Sequence, residues 1–145
     1  MNILVAVDLS PTSGLVVEAA RGIAELTGVG VYILHAVETG PDFILPDLEP
    51  EALRTRVATE FPKEHQAVQA IAGKLQDDGL DASALLVCSP CVESTLKEAD
   101  LLEAGMIVVG THGHGAVYDV LIGSYSARII RKSKLPVLVV PVRNS

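Results

Sequence analysis

The stretch GTHGHGAVYDVLIGS, residues 110–124, holds the densest set of groups that could do chemistry in this 145-residue chain. Gly110, Gly113, Gly115 and Gly123 offer positions without a Cβ, where backbone N–H groups can turn toward an anion. A helix starting at Ser124 would add its positive end. Ser124 and Ser126 put hydroxyls into that first turn. Gly110 and Gly115 have the spacing of Walker A glycines, yet Ala116 and Val117 stand where that loop needs Lys and Ser/Thr. Three chemistries are therefore open: a phosphate cradle that uses dipoles and an accompanying divalent ion, a metal site at His112 and His114, or a plain glycine-rich turn. Two histidines without a placed carboxylate or thiolate are a poor zinc set, so His112 is expected to pack or hydrogen-bond within the loop.

A second candidate is CSPC, residues 88–91. A helix N-terminus lowers a thiol pKa, which makes Cys88 and Cys91 a possible redox pair; the plainer alternative is two small, partly buried residues. Asp8 ends the first apolar run and can cap the next helix, contact a ligand, or both. His35, between Leu34 and Val37, reads as a core histidine with a satisfied ring, and His65 as a solvated one. No triad is apparent and no general base is placed to activate water. Any hydrolysis or self-phosphorylation should therefore be slow, with Ser124 or Ser126 as the candidate hydroxyls.

Composition limits the scaffold that carries these groups. Apolar residues make up 49% of the chain, aromatics 3%, and Trp is absent, so Val, Ile, Leu and Ala must build the core, a mix that suits parallel strands covered by helices. The net charge of −7 argues against nucleic acid or an anionic membrane as partner. MNILVAVDLS has no basic segment before its short apolar run, so no signal peptide is expected. No apolar run reaches the roughly 20 residues of a membrane span. A single cytoplasmic domain over residues 1–145 is expected, without membrane insertion.

Short β-branched runs alternate with stretches of helical period, the pattern of stacked βαβ units. Strands are expected at 2–8, 31–37, 82–87, 106–109 and 136–140. Ser10-Pro11 reads as N-cap and first residue of one helix, closed by Gly28, and Ser89-Pro90 as the same signal before another. Residues 38–50, with Gly40, Pro41, Pro46 and Pro50, read as an irregular excursion that either acts as a lid or partner segment or folds back on the core. Helix is expected from about Glu51 to Asp78, kinked or divided at Pro62, and again from about Ser124 to Ser133. Pro136 and Pro141 bracket the last strand, which suits a sheet edge. Ligands in such sheets bind beyond the strand carboxyl ends, where Asp8, His35, Ala36, Cys88 and Gly110 all fall.

The spacing G-x2-G-x9-G-[ST], filled by Gly110, Gly113, Gly123 and Ser124 and followed by PVLVV, resembles the nucleotide-binding branch of the universal stress protein family. VAVDLS, LHAV and the Ser-Pro before the third helix extend the resemblance over nearly the whole chain. It implies a three-layer α/β/α fold with a five-stranded parallel sheet of order 3-2-1-4-5, and ATP, or ADP or AMP, held across it with Mg or Mn on the phosphates. Asp8, with the Ala6 and Val7 backbone, would recognise the nucleoside, and Ala36 would contact adenine. Val109 and Gly110 would line the ribose and phosphate side, while Gly113, His114, Gly123, Ser124, Tyr125 and Ser126 would surround the phosphates. The resemblance also implies a homodimer through the fifth strand, residues 136–141, and a regulatory role in stress response with a protein partner. Relatives often carry Arg or Lys near His114 and Tyr118, where this chain continues to Asp119, which implies a weaker hold on a triphosphate. Cys88 stands where relatives usually have glycine.

Overall fold

A computed structural model describes residues 1–112 and 122–142. The elements follow in the order β1 (Asn2–Ala6), α1 (Ser13–Thr27), β2 (Gly30–Val37), α2 (Pro50–Glu60), α3 (Pro62–Asp77), β3 (Ala82–Cys88), α4 (Cys91–Leu101), β4 (Ala104–Gly110), α5 (Ser124–Lys132) and β5 (Val137–Val140). All strand pairs are parallel, and the sheet runs β3-β2-β1-β4-β5. The order is the expected one, and β5 takes an edge position.

Side-chain alternation along the strands divides the core in two. Ile3, Val5 and Val7 point to one face, where they meet Val16, Val17, Ala20 and Ala24 of α1 and Val57, Val68, Ala72 and Leu75 of α2 and α3. Leu4 and Ala6 point to the other, against Val92 and Ala99 of α4 and Ile129 of α5. With no Trp to fill gaps, aliphatic side chains are fully buried on both faces, Ile3 and Ile33 on the first and Leu4, Leu34 and Ile107 on the second.

Helix boundaries show where local signals were overridden. Gly28 closes α1 in the left-handed conformation, with φ of 76° and its N–H on the Ala24 carbonyl, as a C-terminal glycine should. The start of α1 differs from expectation. Ser10 and Pro11 form a turn, Thr12 is the N-cap, and the helix begins at Ser13 because Asp8 holds the turn together: its Oδ1 accepts from the Ser10 N–H at 3.0 Å and the Ser13 hydroxyl at 2.9 Å. Ser89 likewise does not cap α4. Pro90 takes that place, and the Ser89 hydroxyl instead accepts the Thr39 N–H at 2.9 Å. Pro62 separates α2 from α3 as its missing N–H requires.

The excursion between β2 and α2 folds back on its own core. Phe43 and Leu45 pack inward, Phe43 meeting Phe61 with ring centroids 5.5 Å apart. Ile44, between them, is 85% exposed. α2 is anchored by Val57, its one described buried residue, and by Arg54, whose guanidinium donates to Glu98 of α4 at 2.7 Å. The Glu98 side chain is only 10% exposed, so removing one partner leaves a charge that water reaches poorly. Glu98→Ala should lower stability by about 2 kcal/mol in urea denaturation, whereas Arg54→Met combined with Glu98→Leu should recover most of that loss.

Candidate functional site

Parallel strands joined by right-handed crossovers bring their carboxyl ends, and the starts of the helices that follow, to one rim of the sheet. A cleft of about 760 Å³ opens there, within the range of roughly 300–1,000 Å³ usual for small-molecule sites. Its floor is the ends of β1 (Ala6, Val7, Asp8), β2 (His35, Ala36, Val37) and β4 (Val109, Gly110). Thr12, Ser13 and Val16 of the α1 region form one wall; Gly123, Ser124, Tyr125 and Ser126 at the start of α5 form another; Glu38, Cys91, His112 and Val142 complete the lining.

The β1 end is fixed tightly. Val7 donates its N–H to the Leu34 carbonyl at 2.8 Å, continuing the β1–β2 ladder past the strand, and the His35 ring lies 2.9 Å through Nδ1 from the Val7 carbonyl. Because a carbonyl only accepts, Nδ1 of His35 carries the proton. Leu9, next to Asp8, sits at φ of 63°, a left-handed conformation costing a bulky residue about 1–2 kcal/mol. The tightly bonded Asp8 turn holds it there.

The β4–α5 half of the cleft is organised by Thr111. Its N–H donates to the Val140 carbonyl at 2.9 Å, its carbonyl accepts the Gly123 N–H at 2.7 Å, and its hydroxyl accepts the Val142 N–H at 3.1 Å. One residue thus ties β4 to the end of β5 and to the start of α5. Ser126 donates its hydroxyl to the Gly110 carbonyl at 2.6 Å. The first-turn N–H groups of α5, on Ser124, Tyr125 and Ser126, have no carbonyl behind them within the helix, and all three residues line the cleft. Gly110 is required by packing: a Cβ there would lie 3.2 Å from Val16 and 3.3 Å from Val142.

Ten of the residues named from the sequence lie together in this cleft: Ala6, Val7, Asp8, Ala36, Val109, Gly110, Gly123, Ser124, Tyr125 and Ser126. Gly113 and His114 fall outside the described residues. Tyr125 enters with a difference, since its hydroxyl pairs with Thr95 of α4 at 2.8 Å and so faces the α4–α5 contact. Sequence reasoning missed Thr12, Ser13, Val16, Val37, Glu38 and Val142 as lining residues, and gave His35, His112 and Cys91 other roles. Glu38 had a usable signal, as the acidic residue closing the same strand end as Ala36.

Burial, foremost, pushes Cys88 up to about 11, and the same cause raises Cys91. A raised thiol pKa disfavours the thiolate, which favours the reading of Cys88 and Cys91 as two small, partly buried residues over the redox pair. Cys91 lines the cleft, and Cys88 lines a smaller cavity beside α2. Among the described residues no group of three or more His, Cys, Asp or Glu is placed to hold a metal.

The universal stress protein family model matches residues 1–141. The chain belongs to the universal stress protein family. It is 31% identical over 139 residues to a universal stress protein of Thermus aquaticus encoded in the 3′ region of a QAH/OAS sulfhydrylase, covering 96% of this chain and 97% of that one. Universal stress protein MJ0577 of Methanocaldococcus jannaschii is 24% identical, with 99% and 96% covered. The solved structure of MJ0577 superposes with a TM-score of 0.78 at 25% identity, over 99% of this chain and 97% of that one. A universal stress protein solved in complex with cAMP has a TM-score of 0.71 at 22% identity (99% and 98% covered). One from Archaeoglobus fulgidus in complex with dAMP has 0.68 at 22% identity (97% of each). No described helix of this family member is long and apolar enough to cross a membrane.

Tyr125 gives the site a pH signature. Burial raises its hydroxyl from 10.0 to about 12. A raised folded pKa means that stability is full below the unfolded value and is lost as pH rises through the folded one. Thermal denaturation should therefore show stability falling from about pH 10 toward 12. Tyr125→Phe should be less stable at pH 8, having lost the Thr95 bond, but show a shallower fall above pH 10.

Proposed function

We propose that the cleft binds an adenine nucleotide, and that the protein acts as a cytoplasmic, nucleotide-responsive regulatory or interaction module in stress response. The carrying observation is the convergence of the α1, α4 and α5 starts on one cleft, where α5 presents three N–H donors beside a strand end at Gly110. That is an anion site built from backbone. Asp8 with Ala6 and Val7 would hold the nucleoside and Ala36 the adenine. Val109, Gly110, Gly113, His114 and the Gly123–Ser126 turn would hold the ribose and phosphates. The cAMP and dAMP complexes of its structural relatives support adenine nucleotides as the ligand class.

Which nucleotide is held best follows from charge. No Lys or Arg occurs between Gly110 and Ser124, so each added phosphate meets dipoles alone. ATP, ADP and AMP are all accommodated, with Mg²⁺ or Mn²⁺ accompanying the longer tails and held mainly by phosphate oxygens. Pairing of β5 edges, residues 136–141, would make the homodimer and leave other faces for a protein partner. Slow ATP hydrolysis or self-phosphorylation remains the second reading, and the exposed Ser124 hydroxyl at the α5 start favours it.

Denaturing the purified protein and identifying released nucleotide tests the ligand directly. Thermal shift with ATP, ADP and AMP should show stabilisation, about 2.7 kcal/mol at 100 times Kd. Without a divalent ion, the affinity gain from AMP to ATP should stay below about tenfold. Gly110→Val, which fills the strand end against Val16 and Val142, should abolish the shift. No released nucleotide and no shift at millimolar concentrations with magnesium would sink the proposal.

A further inference from the structure

Glu38 is a carboxylate in the cleft that the nucleotide proposal leaves without a task. It follows Val37 at the end of β2, and the backbone on both sides of it is pinned to the β3–α4 turn. The Ser89 N–H donates to the Val37 carbonyl at 3.1 Å, and the Thr39 N–H to the Ser89 hydroxyl at 2.9 Å. Its charge is felt at Cys91, whose thiol it helps to raise, which puts both groups in the same corner. Among the described residues no Lys or Arg forms an ion pair with Glu38.

The position of Glu38 across the sheet limits what it can meet. In the order β3-β2-β1-β4-β5, β2 and β4 lie two strands apart, roughly 10 Å at the usual strand spacing. The N–H donors of α5 and the glycine at the end of β4 stand at the far side; the start of α4 lies at Cys91 in the Glu38 corner, where the Glu38 carboxylate repels a phosphate that the helix end would attract. Asp8, ending β1, lies between. An anionic ligand therefore points its phosphate toward β4, lays its sugar over β1 and sets its base against β2. A carboxylate accepts hydrogen bonds and cannot donate them, so the base edge it faces must carry a donor.

Resting on the nucleotide proposal, we propose that Glu38 determines base specificity by accepting a hydrogen bond from the exocyclic amine of a 6-aminopurine. A 6-oxo purine turns a carbonyl toward the same carboxylate and is rejected, since two acceptors oppose each other without a proton between them.

Calorimetric titration with AMP, IMP and 2′-deoxy-AMP tests this in the wild type, Glu38→Gln and Glu38→Ala, each checked for folding by circular dichroism. The wild type should prefer AMP over IMP by about tenfold or more. Glu38→Gln, whose amide can donate to a 6-oxo group, should bring that ratio close to one. Glu38→Ala should weaken AMP without weakening IMP. The ratio of AMP to 2′-deoxy-AMP should stay the same in all three. An AMP-to-IMP ratio unchanged in both variants overturns the assignment, and so does a change in the 2′-deoxy ratio, which would move Glu38 to the sugar. If AMP and IMP both fail to bind the wild type, the nucleotide proposal itself falls; if AMP binds and the ratio ignores Glu38, only the specificity assignment does.

Discussion

Everything at the site depends on all five strands running the same way. A parallel sheet with right-handed crossovers starts each helix at the rim where its strand has just ended, so helix dipoles accumulate on one side of the molecule. α1, α4 and α5 follow this rule and place their first turns in the cleft. The connection after β2 breaks it. Residues 38–49 travel away along the core before α2 begins at Pro50, and no residue of α2 or α3 lines the cleft. The helix that follows β2 therefore adds no N-terminus to the cleft, and the β2 corner carries Glu38 beside Cys91, the first residue of α4. The carboxylate offsets the helix end there, whereas the α5 end has no described acidic residue beside it among the lining residues of β4 and α5.

The fold was legible because its signals were redundant. Alternating apolar runs, Gly28, Pro62 and the proline-bracketed final strand each constrained the same topology independently. What sequence could not supply was the competition between local partners. Ser10-Pro11 and Ser89-Pro90 both look like caps, yet Asp8 takes the Ser10 N–H and Thr39 donates to the Ser89 hydroxyl, shifting each helix start by one or more residues. The site was legible where it depended on backbone at strand ends, as at Ala36, Val109 and Gly110. It was hidden where a side chain arrives from another element: Val16 and Val142 press on Gly110 from α1 and from beyond β5, a contact with no trace in spacing. Thr111 was invisible for the same reason, since its three bonds join segments far apart in sequence. For Cys88 and Cys91 the sequence left a redox pair and two small, partly buried residues both open, because burial, the first cause of both raised thiols, depends on the packing around them.

A chain of net charge −7 that binds a polyanion must do so over short range. A helix N-terminus carries about half a positive charge and acts within about one turn, so three of them offset little more than one full negative charge. Asp8 and Glu38 add negative charge to the same cleft. Under the nucleotide proposal, this balance favours a monophosphate and would leave a triphosphate dependent on a cation brought with it. Bulk repulsion at this net charge is screened over roughly 8–10 Å at ordinary ionic strength, which leaves the local dipoles to decide.

The polar groups that could react are largely committed to holding the cleft together. The Ser126 hydroxyl donates to the Gly110 carbonyl, the Tyr125 hydroxyl pairs with Thr95, the His35 ring donates to the Val7 carbonyl, and the Ser13 hydroxyl donates to Asp8. Each bond fixes a piece of backbone that lines the site, and each withdraws a nucleophile or base from service. General base catalysis needs an acceptor aimed at a water or hydroxyl, whereas here the aim is inward, at the scaffold. Ser124 differs, being exposed at the α5 start beside the N–H donors, but no described histidine or carboxylate bonds to it. Under the nucleotide proposal, a cleft whose side chains are committed in this way would hold its ligand through backbone groups and offer few free side chains for chemistry.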